Sequence, residues 1–156
     1  MDLENKERVN SQICEVFERM AFMFGDAIEP EEMPEPPDGC FRAEVRFRGD
    51  RQGALVMMGA SELCPILAAN VLGADPEDDE AMARSDDAIK ELLNVACGHV
   101  LTTLAGEGPI FDLGAPTVAK ATSADLRAFV RDQDSLAFVM EDHPLAVQFR
   151  WEETGQ

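Results

Sequence analysis

The sequence predicts an α+β fold: long helices packed on a mostly antiparallel sheet, built from pseudo-duplicated α-β-β halves. Three observations carry this. Two long segments repeat apolar residues at helical spacing, at about 4–24 and 85–105. Alternating, strand-like segments follow one another across short turns instead of being separated by helices. The resulting order, α-β-β-α-α-β-β-β, lacks the strict βαβ alternation of a parallel sheet.

The elements follow in order. In the first helix Val9, Ile13, Val16, Phe17, Met20 and Phe24 share one face, and Gly25 is the expected stop. The Pro- and Glu-rich stretch from Glu29 to Pro37 reads as a loop. Phe41–Arg48 and Gln52–Gly59, joined by Gly49-Asp50-Arg51, read as a β-hairpin. A helix from Ser61 to Leu72 starts at a serine N-cap and stops at Gly73. After an acidic hinge, Asp75–Glu80, the second half opens with the helix at Ser85–Ala105, broken by Gly106-Glu-Gly-Pro109. Strand-like runs follow at Pro116–Thr122, Leu136–Glu141 and Ala146–Trp151, with a turn at Asp142-His-Pro144. The halves span about 4–74 and 84–151 within one domain, residues 1–156.

Composition narrows the function. With 46% hydrophobic residues, a chain of 156 can bury a real core. A formal net charge of −18 argues against nucleic acid and against an anionic membrane surface, since phosphate contacts need Lys and Arg. The N-terminus has no apolar signal-like region and no run is long and apolar enough to span a bilayer, so the expected location is the cytoplasm. Cys14, Cys40, Cys64 and Cys97 stand alone without a C-x-x-C, which suits reduced thiols better than disulfides or zinc.

The most informative segment is the second long helix. Asp87, Glu91, Asn94 and Gly98 stand at offsets 0, 4, 7 and 11, within about 60° of one another on a helix. Ile89, Leu92, Leu93, Ala96, Val100 and Leu104 form the opposite, apolar stripe. Asn and Gly are poor residues for an exposed helix interior, Gly costing about 1 kcal/mol relative to Ala. Two such residues aligned outward suggest a surface kept for contact and chemistry. In the first helix Ser11, Glu15, Glu18 and Phe22 stand at the same offsets, a degenerate copy with Glu18 in place of the Asn and Phe22 in place of the Gly.

These residues resemble the CheX/CheC family of chemotaxis phosphatases, CheX more closely than CheC. The match is Asp87-x3-Glu91-x2-Asn94 followed by Gly98, supported by Val16-Phe-Glu-Arg-Met-Ala-Phe22 and by Gly114-Ala-Pro-Thr-Val118. The resemblance implies hydrolysis of the aspartyl phosphate of a CheY-type response regulator. Asn94 would orient the attacking water and Glu91 would pair with a lysine of the receiver, as catalytic residues. Asp87 and Gly98 would contact the partner, Asp87 also sitting in the first helical turn, where the macrodipole favours an acid. The resemblance implies no metal site or cofactor on this chain, the magnesium being carried by the phosphorylated receiver. It also implies a homodimer and, because Glu18 lacks the paired donor and acceptor of an amide, one active helix per chain.

Plainer readings stand beside these. Glu91 and Asn94 alone are compatible with a solvated helix face. Cys97 and His99 lack further ligands at usable spacing and read as a buried thiol and a helix-flank imidazole. His143 precedes a proline in the expected turn, and Met20, Met23, Met57 and Met58 read as core or interface. The other function classes are a non-catalytic module binding a receiver or flagellar-switch protein, and a structural dimerisation domain. Asn94 argues against pure binding, which would tolerate Asp, Gln or Ser there.

Overall fold

A computed structural model describes residues 1–73 and 79–152, with residues 79–82 described by backbone alone. The expected acidic hinge therefore falls largely outside the described residues. The elements are α1 (Leu3–Ala21), β1 (Gly25–Ile28), β2 (Gly39–Gly49), β3 (Gln52–Ala60), α2 (Leu63–Leu72), α3 (Asp79–Ala105), β4 (Phe111–Leu113), β5 (Thr117–Thr122), α4 (Ser123–Arg131), β6 (Ser135–Met140) and β7 (His143–Glu152). The strands form one seven-stranded sheet in which every pairing is antiparallel. Its order is β1-β6-β7-β3-β2-β5, with the short β4 also on β2. Exchanging β1 with β5, β2 with β6 and β3 with β7 gives the same order read from the opposite edge.

Strand alternation sends one residue set to each side of the sheet. Phe41, Ala43, Val45 and Phe47 of β2 join Leu55, Met57, Phe138 and Val147 beneath α1, α2 and α3. Cys40, Met58 and Ala146 face the other way, where Leu126 and Val130 of α4 cover them. The helices α1 and α3 run antiparallel: an Arg8 guanidinium nitrogen donates to the Thr103 carbonyl, and His99 Nδ1 lies 3.2 Å from Gln12 Oε1.

Several elements depart from the sequence reading. The first helix ends at Ala21, four residues before Gly25, because Phe22 turns left-handed (φ 51°) and Met23 N–H donates back to the Phe17 carbonyl. Met23 is then buried, while Phe24, expected in the core, is 62% exposed. Gly25 opens β1 instead, where a Cβ would lie 2.2 Å from the Val139 carbonyl oxygen. The second-half helix starts at Asp79, six residues earlier than expected. In α2 the N-cap is Glu62, with no side-chain cap bond, and Ser61 N–H instead reaches the Gly39 carbonyl. The turn between β6 and β7 is Glu141-Asp142, both left-handed (φ 49° and 67°), a pairing that matches the twist of a two-residue hairpin. His143 and Pro144 therefore belong to β7, opposite Met140 and Val139. The strands β1 and β4, the helix α4 and a 3-10 turn at Pro30–Glu32, within the stretch read as a loop, lie outside the sequence reading.

Candidate functional site on the third helix

The stripe on α3 forms as its spacing requires. Ala88, Ile89, Leu92, Leu93, Ala96, Cys97 and Val100 are buried, and this face fixes the helix on the sheet. On the outer side Asp87 and Glu91 are exposed, and Asn94 and Gly98 are half-buried. Contacts from α1 brace the helix from one side through the Arg8–Thr103 and Gln12–His99 pairs. These bracing residues escape sequence reasoning, since nothing local marks a contact between residues 8 and 103.

Each stripe residue has a distinct environment. Glu91 has no ion pair and no hydrogen bond within the described residues, so its carboxylate is free for a partner's cation. Asn94 sits lower, at the edge of the helix layer: its Oδ1 is out of reach of water and has no hydrogen-bond partner among the described groups. Rotating the amide towards the surface therefore breaks no internal bond to that oxygen, and the χ2 torsion of Asn is soft. A Cβ built at Gly98 meets no atom within 4 Å, so the backbone there is open to close approach. Asp87 differs from the expectation. With α3 beginning at Asp79, it lies eight residues in, in the third turn, and the first-turn dipole explanation for this acid fails.

The remaining candidates behave as ordinary structure. Cys97 is fully buried, and burial pushes its thiol up to about 12. Met23, Met57 and Met58 are core residues, and Met20 packs against the core. No cluster of three or more His, Cys, Asp or Glu able to hold a metal occurs among the described residues, and no helix among them is long and apolar enough to cross a membrane. A concave region of about 930 Å³ lies away from α3, between the start of α1, the end of β1 with the segment 29–36 that follows it, and the end of α4. Its mixed rim holds Lys6, Arg127, Arg131, several glutamates and Asn10, whose Oδ1, like that of Asn94, is buried without a hydrogen-bond partner among the described groups.

Comparison with known proteins decides the family. The family model described as chemotaxis phosphatase CheX matches residues 41–139, well over half of the chain and including the whole stripe. The chain belongs to the CheX family. No curated protein sequence matches it. Among solved structures, CheX from Vibrio vulnificus superimposes with a TM-score of 0.69 at 18% identity, covering 96% of this chain and 97% of that one. CheX from Desulfovibrio desulfuricans gives 0.65 at 16%, covering 96% and 100%. The CheX–CheY–BeF3–magnesium complex from Borrelia burgdorferi gives 0.63 at 16%, covering 94% and 97%. At these identities the likeness establishes the α+β fold, and family membership supports a role in chemotaxis.

Proposed function

We propose that this CheX-family chain hydrolyses the aspartyl phosphate of a CheY-type response regulator by docking α3 against the receiver's phosphorylated pocket. The observation that carries the proposal is the state of the stripe. A free carboxylate, an amide with an uncommitted oxygen and an open glycine lie on one outward line of a helix fixed at its back. Glu91 and Asn94 are three residues apart, about 4.5 Å along the axis, close enough to act on neighbouring groups of one pocket.

The chemistry needs little more. An acyl phosphate already has a good leaving group, so catalysis is mainly positioning and charge management. Asn94 turned outward accepts a hydrogen bond from a water with Oδ1 and donates from Nδ2 to a phosphoryl oxygen, which holds the water in line. Glu91 pairs with a lysine of the receiver and sets the helix in register. Gly98 admits the partner's backbone, and Asp87 contacts its rim. Magnesium would come with the receiver and would supply charge neutralisation at the phosphoryl oxygens. The complex of a related CheX with CheY, in which beryllofluoride stands in for a phosphoryl group, supports this class of partner. Receivers of this kind place the reaction in the cytoplasm.

The test is the lifetime of phosphate on CheY-type receivers phosphorylated with acetyl phosphate. Wild type should accelerate its loss, and Asn94→Ala should remove the acceleration while remaining folded. Binding without faster hydrolysis across a receiver panel would overturn the catalytic reading.

A further inference from the structure

Two large apolar side chains stand in solvent just past the end of α1, Phe22 at 68% and Phe24 at 62% exposure, with the buried Met23 between them. Phe22 is also held left-handed, φ 51° and ψ 34°, at a helix-closing position where glycine is the unstrained choice. A bulky aromatic in that conformation, with its ring in water, does nothing for the fold. Its placement relative to the stripe follows from the pairing of the helices. Arg8 lies against Thr103 and Gln12 against His99, so four residues forward on α1 correspond to four residues back on α3. Ten residues beyond Gln12 is Phe22, and ten back from His99 is Ile89, between Asp87 and Glu91. Phe22, one residue past the end of α1, thus falls level with the acidic end of the stripe, and α2 holds that end of α1 through Asn70 Nδ2, which donates to the Ala21 carbonyl.

We infer that Phe22, with Phe24 beside it, is a second anchor for the phosphorylated receiver, used together with Glu91 and Asn94. This rests on the docking proposed above and extends it to α1. The surroundings state what the anchor fits. Glu18 lies one turn before Phe22, Asp26 lies two residues after Phe24, and the Glu141-Asp142 turn is bonded to the Phe24 backbone through both the Glu141 carboxylate and its N–H. An aromatic pair rimmed by carboxylates suits an apolar socket with a basic rim. A second copy of this chain, meeting the same surface about a two-fold axis, would set these carboxylates against each other. A receiver already gripped through its lysine by Glu91 continues the contact without that clash.

The experiment compares wild type, Phe22→Gly, Phe24→Ser and Asn94→Ala, measuring turnover of phosphorylated CheY-type receivers, binding to the same receivers loaded with beryllofluoride and magnesium, thermal melting and sedimentation. Phe22→Gly should raise KM and Kd about tenfold, leave kcat within about twofold, and melt at the wild-type temperature or above. Phe24→Ser should act in the same direction. Unchanged KM and Kd would overturn the inference while leaving the Asn94 result to decide the catalytic reading. A receiver that binds but is not dephosphorylated would remove the catalytic reading, and the Kd values would still judge Phe22. No binding by wild type to any receiver would remove both. Conversion of a wild-type dimer to monomer by Phe22→Gly would assign the patch to self-association and overturn the inference.

Discussion

Replacing Asn94 with alanine should separate stability from activity, in opposite directions. Oδ1 of Asn94 is buried without a hydrogen-bond donor among the described groups, and a buried unsatisfied acceptor costs about 1–3 kcal/mol. Alanine removes that cost and gains up to about 0.7 kcal/mol in helix propensity. Against this stands the lost packing of a small, half-buried side chain. The net expectation is a variant more stable by about 2 kcal/mol, which for a chain of this size raises Tm by about 4–8 °C. Phosphate release should fall about 10²-fold, the loss expected when a reacting water is no longer held in line.

Urea unfolding followed by circular dichroism gives the first quantity, and decay of receiver phosphate gives the second. The reasoning is refuted if the variant loses more than about 1 kcal/mol, because a native hydrogen bond to Oδ1 would then exist. It is refuted on the catalytic side if turnover stays within about threefold of wild type.

The other expectations concern the neighbours of Asn94 and the core. Glu91→Gln, at an exposed position without internal partners, should leave stability within about 0.5 kcal/mol and raise KM with kcat retained, an effect read from steady-state kinetics and reduced at high salt. Gly98→Ala should stabilise α3 by about 1 kcal/mol, since its Cβ meets no atom within 4 Å, yet weaken receiver binding measured by calorimetry. Burial raises the thiols of Cys64 and Cys97 from the ordinary 9.0 to about 12. Groups raised on folding stabilise fully below their unfolded value, so unfolding free energy should fall as pH climbs from 9.0 towards 12. Denaturant melts across that range check it, and replacing Cys97 with Ser should flatten part of the decline.

What was legible in the sequence was whatever local spacing encodes. The β2–β3 hairpin, the stop at Gly73, the end of α3 at Gly106 and the alignment of Asp87, Glu91, Asn94 and Gly98 all follow from period and turn chemistry within a few residues. The misses depend on distant partners. β1 is four residues long with two of them exposed, and it is a strand because β6 pairs with it. β4 is three residues held by β2. The signal for α4 was present, a capping box between Thr122 and Asp125 followed by Leu126 and Val130 one turn apart, but nine residues with two buried apolar positions give a faint period. The half-burial of Asn94 was not legible, because only the packed helix layer shows which edge of an outward stripe sinks.

The two stripes differ physically in ways that would keep them from being equivalent sites. On α1 the residue matching Glu91 is Glu15, which is half-buried and bound 2.8 Å from Arg19 of its own helix, so it has a partner before any receiver arrives. The residue matching Asn94 is Glu18, an acceptor without a donor, which cannot bridge a water and a phosphoryl oxygen. The residue aligned with Gly98 in sequence is Phe22, which the structure places beyond the end of α1, left-handed and with its ring in solvent, so the α1 stripe stops short of a fourth position. On α3 the acid is free, the amide oxygen is uncommitted and the glycine is open. Each difference acts in the same direction: under the proposed mechanism α1 would lack hydrolysis and keep a surface suited to grip. A chain with this asymmetry would use one helix for chemistry and the other to hold the partner. Restoring the α1 stripe with Glu18→Asn and Phe22→Gly should therefore weaken receiver binding without adding a second turnover site, because Arg19 still occupies Glu15.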